Sequence, residues 1–271
     1  MKRLINYRPS KPIMLALGIA PFLILLFAYQ LGSDFRKAEN EKDKLLPSYS
    51  EIGMAVDRMA FTPDKRSGDY LFWKDTKSSL TRIATGIVLS ATLGLVIGLA
   101  AGALPIVSAP LNPLITAISL IPPMAILPIL FIVFGLGELS KVMLIVIGVS
   151  PFLIRDMLQR TKDLPTEQLV KAQTLGGNSW QIIVRVILPQ TLPRLIDAVR
   201  LSLGSAWLFL IAAEAIAATD GLGYRIFLVR RYMSMDVILP YVLWITCLAF
   251  MLDWVLNQTS KVVFPWYHAA K

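Results

Sequence analysis

From Ile83 to Gly137 the chain runs for 55 residues without a charged side chain. About 20 apolar residues cross a hydrocarbon core of roughly 30 Å, so this run is too long for one crossing and fits two. In lipid every backbone N–H and C=O must be satisfied within the protein, which leaves helices or a closed barrel. The run is continuously apolar rather than alternating, so helices are expected. Composition agrees: 55% of the 271 residues are hydrophobic and 17% charged, against about 25% charged in ordinary soluble domains. The expected fold class is an all-α membrane protein, a polytopic bundle.

Within the run, Pro105, Pro110 and Pro113 cluster, which places the connection between the two crossings near Ala103–Asn112. In the first crossing Gly86, Ser90, Gly94, Gly98 and Gly102 recur every four residues. Such a stripe lets another helix approach closely; packing is the expected role and a pore lining the alternative. In the second crossing Ile121-Pro122-Pro123 and Pro128 interrupt helical hydrogen bonding. Breaks at membrane depth are tolerated where protein or a water-filled cavity surrounds them. Pro122, Pro123 and Met124 are therefore candidate elements of a translocation pathway.

Pro12–Ser33 is a further uncharged run, too long and without the A-x-A site of a cleaved signal peptide, and is expected to be a retained first crossing. Val142–Ile154, Leu201–Ala213 and Val237–Leu252 are shorter, at 13, 13 and 16 uncharged residues. They reach spanning length if their flanking charges snorkel or face a protein interior. The total is about six crossings. Between the first two lies a polar segment, residues 34–78, with nine acids and nine bases. Ser48 and Glu51 form a capping-box pattern there. Ile52, Ala55, Val56 and Met59 then share one face of a short amphipathic helix expected at the membrane interface.

The net charge of +9 is expected to reflect Lys and Arg at membrane flanks facing anionic lipid, not nucleic acid. Lys2, Arg3, Arg8 and Lys11, with no acid among them, place the N-terminus in the cytoplasm, and an even number of crossings places the C-terminus there too. Cys247 and His268 are the only residues of their kinds. That argues against a disulfide, a thiolate metal site or a His-dependent triad. No G-x-x-x-x-G-K-[ST] phosphate loop occurs, so the chain is not expected to hydrolyse ATP itself.

The polar stretch Glu167 to Pro189 stands between two apolar segments. Asp163 and Pro165 suit a helix start, and Glu167 favours its positive end. Gly176-Gly177 suits its close, because a left-handed terminal residue is cheapest in Gly. Asn178 and Gln181 suit the cap of a second helix, Trp180–Leu188, stopped by Pro189. A DNA-binding helix–turn–helix is disfavoured by the membrane segments at both ends and by the lack of a dense basic face. A docking element for a soluble partner fits better.

The segment "TLGGNSWQIIVRVILPQTLP" resembles the cytoplasmic EAA loop of ATP-binding cassette importer permeases. The family pattern is Glu-Ala-Ala, three residues, Gly, nine residues, a β-branched residue, one residue, Leu-Pro. Ala172, Gly176, Val186, Leu188 and Pro189 stand at matching positions, whereas Val170 replaces the Glu and Lys171 the first Ala. "LPSYSEI", "IPPMAILPILFIVFGLGELSK" and "AAEAIAATDGLGY" are similar to segments of the nitrate/sulfonate/taurine/bicarbonate-type permeases, so the likeness spans roughly residues 46 to 258.

The resemblance implies the type I importer permease fold and a dimer, most simply a homodimer, in the bacterial inner membrane. It implies a coupling helix seated in a cytoplasmic ATPase that binds ATP and Mg, and a periplasmic or lipid-anchored solute-binding protein. The chain itself would bind no cofactor and no metal. Coupling would centre on Ala172, Thr174, Leu175, Gly176, Gly177, Asn178, Ser179 and Trp180, with Leu188 and Pro189 closing the motif. The implied organisation is a tail and first helix at 1–33, an outer loop at 34–78, a core at 79–258 with the coupling loop at 160–190, and a cytoplasmic tail at 259–271. Loss of the motif's Glu leaves packing at Val170, or charge from Glu167, to replace it.

Glu214 is expected deep in the fifth crossing, where an acid costs about 2.5–3.5 kcal/mol. It must line a cavity, be protonated or be paired; pathway lining and a structural hydrogen bond both remain open. Gly221-Leu222-Gly223 then forms a flexible turn. Asp197 and Arg200 are expected to form a local ion pair, and Arg82 and Asp253 to be interfacial anchors. A secondary transporter or channel-like protein is the rival function. The former calls for repeated halves and coupling-ion carboxylates, and only one deep acid and no clear repeat are visible.

Overall fold

The structure, a computed structural model, describes residues 10–40, 43–65 and 68–269. Lys2, Arg3 and Arg8 of the N-terminal tail lie outside the described residues. Every regular element is a helix: α1 (Lys11–Glu39), α2 (Tyr49–Ala60), α3 (Leu71–Ala103), α4 (Pro105–Ser119), α5 (Pro123–Phe134), α6 (Glu138–Lys162), α7 (Thr166–Thr174), α8 (Ser179–Ile182), α9 (Leu188–Ala217), α10 (Leu222–Arg230), α11 (Met235–Val263) and α12 (Pro265–Ala269). Five helices or continuous helical stretches are long and apolar enough to cross a membrane, and α4 with α5, bent by 95°, makes up to six.

The core is α3, α6 and α9, joined by α11 and α5 around Ile83, Leu144, Leu153, Met157, Leu210 and Tyr241. The small-residue stripe of α3 faces α6. A Cβ added at Gly86 would lie 2.7 Å from Ile145, at Gly94 2.7 Å from Leu153, at Gly98 2.6 Å from Met157 and at Gly102 2.5 Å from Thr161. Ser90, fully buried, turns its hydroxyl back to the Gly86 carbonyl at 2.8 Å. Backbones this close gain dispersion contacts along the whole seam, the force available between helices whose surroundings are as apolar as their side chains.

The helix α1 buries only Ser33. Tyr29 and Ser33 donate to the carbonyls of Pro47 and Leu46, so α1 is tied to the approach to α2 rather than to the core. The capping box forms as expected: Ser48 accepts from the Glu51 N–H and Glu51 accepts from the Ser48 N–H. Ala55 is buried, and Val56 and Met59 pack on the core beside α11 and α3.

Prolines act differently from expectation at two joints. Between α3 and α4 the connection is Leu104 alone, not a loop over Ala103–Asn112, because Pro105 starts the next helix at its first position. There its missing N–H costs nothing. Pro110 and Pro113 lie inside α4. Likewise Pro189 does not end a helix. A π-helical turn, Ile183–Ile187, carries the chain from α8 into α9, with the Leu188 N–H bonded to the Ile183 carbonyl. The widened turn shifts the hydrogen-bond ladder just where proline lacks a donor and its ring would crowd the previous turn. At Pro122-Pro123 the break does occur, and the chain bends between α4 and α5.

Candidate functional site: a docking hairpin, a buried ionic cluster and a polar cleft

The helices α3 and α6 run parallel, Gly86 meeting Ile145 and Gly102 meeting Thr161, and α9 runs antiparallel to both, so each end of the bundle gathers residues distant in sequence. At one end stands the polar hairpin. Its base is a small apolar cluster of Leu164, Ile182 and Ile187 against Leu99 and Ala103 of α3. Asp163 is not the start of α7: it caps the end of α6, accepts from Gln159, and leaves Pro165 at the α7 N-cap. The glycine pair closes α7 with a double reverse hydrogen bond. Gly177 N–H donates to Ala172 at 3.0 Å and Gly176 N–H to Gln173 at 2.9 Å. Gly176 has φ +83°, a left-handed conformation that a Cβ disfavours. Asn178 and Gln181 then cap α8 reciprocally, at 2.8 and 3.0 Å.

Two caps back to back fix a turn that presents apolar side chains outward. Leu175 is 88% exposed and Trp180 72% exposed. Thr174, Asn178 and Ser179 lie exposed between them, and Ala172 is half-buried beside an open groove lined also by Gly176, Gly177, Gln181 and Arg185. Leu188 is half-buried and Pro189 exposed on the α9 side. Val170 is itself exposed, so packing does not replace the absent Glu. Among the described residues Glu167 makes no ion pair either.

At the opposite end the ionisable groups turn inward. Glu214 lies three residues before the end of α9 rather than at its centre, and is 0% exposed. It accepts from Ser79 at 2.8 and 3.0 Å, from Arg82 at 2.8 Å and from the Gly223 N–H at 2.8 Å. Arg82 is not an interfacial anchor: it is buried, and its guanidinium also holds Glu138 and Asp220. Asp75 accepts from the Gly221 N–H, Arg225 and Tyr241. Burial pulls the Arg225 guanidinium down, but its bonds to Asp75 hold it above its usual value. The Gly221–Gly223 turn is tied to side chains of other elements. Its three consecutive N–H groups donate to Asp75, Ser79 and Glu214. Gly221 has φ +114°, and a Cβ there would lie 2.5 Å from the Glu214 carboxylate.

Asp75, Ser79 and Arg82 continue the small-residue stripe of α3 at helical spacing. That continuity is the sequence signal that would have found them. Nearer the hairpin end, Arg200 pairs with Asp253 at 2.8 and 3.0 Å rather than chiefly with Asp197, which lies at 3.7 Å. Asp197 accepts instead from Tyr267 of α12. Among the described residues no group of His, Cys, Asp or Glu is placed to hold a metal ion.

A cleft of about 800 Å³ opens between α4, the start of α5 and the hairpin half of α6. Of the candidate pathway residues, Pro123 lines it; Pro122, Met124 and Glu214 do not. Its polar wall, with Asn112, Arg155 and Lys162, had no role in the sequence reading.

Residues 79–264 match the family described as binding-protein-dependent transport system inner membrane component. The chain is 34% identical over 199 residues to the taurine transport system permease protein TauC of Escherichia coli K12, covering 73% of this chain and 72% of that one. It is 31% identical over 187 residues to the bicarbonate transport system permease protein CmpB of Synechococcus elongatus, covering 68% and 66%. In fold it is similar to a chain of the MetNI methionine ABC transporter solved in inward-facing conformations, with TM-score 0.62 and 19% identity, covering 74% of this chain and 99% of that one.

Proposed function

Because the chain belongs to the binding-protein-dependent transport system inner membrane component family, a family of ABC importer permeases, we propose that it forms the membrane path for a small oxyanion. In this reading it acts as a homodimer in a bacterial inner membrane, with both termini cytoplasmic. Taurine carries a sulfonate and bicarbonate is itself an oxyanion, so the names of the two relatives support that class of cargo. ATP and Mg bind a separate ATPase, and a solute-binding protein delivers cargo at the face bearing the Gly221–Gly223 turn.

The observation that carries the coupling role is the exposure of Leu175 and Trp180 on a turn fixed by two caps. Large apolar side chains held in water on a rigid turn gain by docking, and Trp is favoured at interface hot spots. Motion of the ATPase reaches α9 through the continuous helix from Ser179 to Ala217 and reaches α6 through the short Asp163–Pro165 link. A bound nucleotide thereby biases two packings of the bundle.

Co-purification of the permease with its ATPase tests this. L175D and W180D are expected to weaken association by tenfold or more, about 1.4 kcal/mol, and to abolish uptake. Retention of both association and uptake in both variants rejects the hairpin as the coupling element.

A further inference from the structure

We propose that the cleft between α4 and α6 is an oxyanion-binding vestibule on the transport path, with Arg155 and Lys162 as its charge-bearing residues. The proposal rests on the importer reading above and names the part of this chain that would meet the cargo.

Two polar stripes face each other across the cleft. On α4, Asn112, Thr116 and Ser119 stand at intervals of four and three residues, and on α6 so do Arg155, Gln159 and Lys162. Each set therefore occupies one helix face. The α4 set lies inside the 55-residue stretch that has no charge.

Arg155 donates to Ser119 at 3.0 Å, and Lys162 to Ser108 of α4 at 3.3 Å. Among the described residues neither cation has a carboxylate within ion-pair distance. Of the nearby acids, Asp156 shares the cleft wall but is paired with Arg160, and Asp163 accepts from Gln159. A guanidinium in a spanning helix is retained at a cost unless it is paired or faces a water-filled cavity. Here the cavity is present and the paired anion is what the cargo supplies. Two cations bonded only to neutral hydroxyls can exchange those bonds for an oxyanion. The hydroxyls and amides beside them donate to the anion's remaining oxygens. The buried cluster around Arg82 cannot serve in this way, because its cation is already surrounded by Glu138, Glu214 and Asp220.

The test uses the complete transporter, permease with its ATPase and binding protein, in proteoliposomes, reading uptake of taurine, ethanesulfonate and bicarbonate. The R155Q/K162Q double variant is expected to lower uptake at least tenfold. R155K/K162R, which keeps both charges, should restore it to within threefold of the parent. K77Q, an exposed cation at the other end, serves as the control and leaves uptake unchanged. Parallel vesicles of phosphatidylcholine alone and of phosphatidylcholine with phosphatidylglycerol separate cargo from lipid headgroup. A deficit that persists in both supports a cargo site. A deficit confined to vesicles with anionic lipid overturns it in favour of a headgroup site. Uptake by R155Q/K162Q within twofold of the parent, or equal loss in the charge-keeping variant, also overturns it. If the unaltered transporter moves none of the three solutes, the oxyanion reading of the function falls, and the vestibule with it.

Discussion

The two ends of this bundle treat polarity in opposite ways. At the Arg82 end, charges distant in sequence turn inward and satisfy one another, so that Glu214 is fully buried and the Gly221–Gly223 turn has all three N–H groups bonded to side chains. At the hairpin end, backbone caps satisfy the polar groups locally and apolar Leu175 and Trp180 are left in the open. The first pattern holds the chain to itself. The second leaves unpartnered apolar surface on a turn whose own stability does not require it. Stability and assembly are thereby assigned to different ends, and substitutions can separate them.

The largest effect is expected from R82M. It leaves Glu214 as a buried carboxylate without its counter-charge, a change of about 3–5 kcal/mol. Thermal unfolding in detergent checks it, with failure to accumulate in the membrane as the extreme outcome. A parent-like melting temperature would show that the cluster is not what fastens this end. G221A tests the same end without removing any charge. It combines a disfavoured positive φ, worth about 1–2 kcal/mol, with a Cβ driven against Glu214 and Arg82, and should lower the melting temperature clearly.

G98L tests the seam that joins the two ends. Overpacking against Met157 and the Ile154 carbonyl is expected to cost about 1–3 kcal/mol, read by the same melt and by loss of crosslinking between cysteines placed on α3 and α6. At the hairpin end the expectation is reversed. W180A and L175A should shift stability by no more than about 0.5 kcal/mol while weakening assembly with the ATPase. G176A, at φ +83°, should combine a stability loss of about 1 kcal/mol with partial loss of assembly. If W180A instead lowers stability as much as R82M does, the contrast between the ends is false. S48A, remote from both ends, should cost about 1 kcal/mol for the lost cap, leave assembly unchanged and show only as lost protection of α2 in hydrogen exchange.

The sequence made the hairpin caps legible because they are local: Asn178 and Gln181 are three residues apart, and Gly176 signals its own conformation. The capping box at Ser48 was readable for the same reason. Pro189 was misread because its effect depends on the π-helical turn before it, which no residue type announces. Arg82 and Asp253 were placed at the membrane boundary because their partners lie far along the chain, 132 residues away for Glu214 and 53 for Arg200. The Glu214 position was read as mid-helix because the apolar run was counted from Arg200, whereas α9 begins at Leu188.

What the sequence determined by itself follows from chemistry repeated along the chain. Long uncharged runs demand membrane helices, small residues every fourth position demand a close helix neighbour, and Asn, Gln and Gly at fixed offsets specify caps. These are short-range rules, and they hold wherever the neighbours happen to lie. Only the tertiary structure decided that α6 is the neighbour of the α3 stripe, that Arg82 gathers three acids, and that Arg155 and Lys162 bond to hydroxyls of α4. Those outcomes depend on which helix ends the parallel α3–α6 pair and the antiparallel α9 bring together. The cost of a charge in an apolar bundle is set by the partner it meets there.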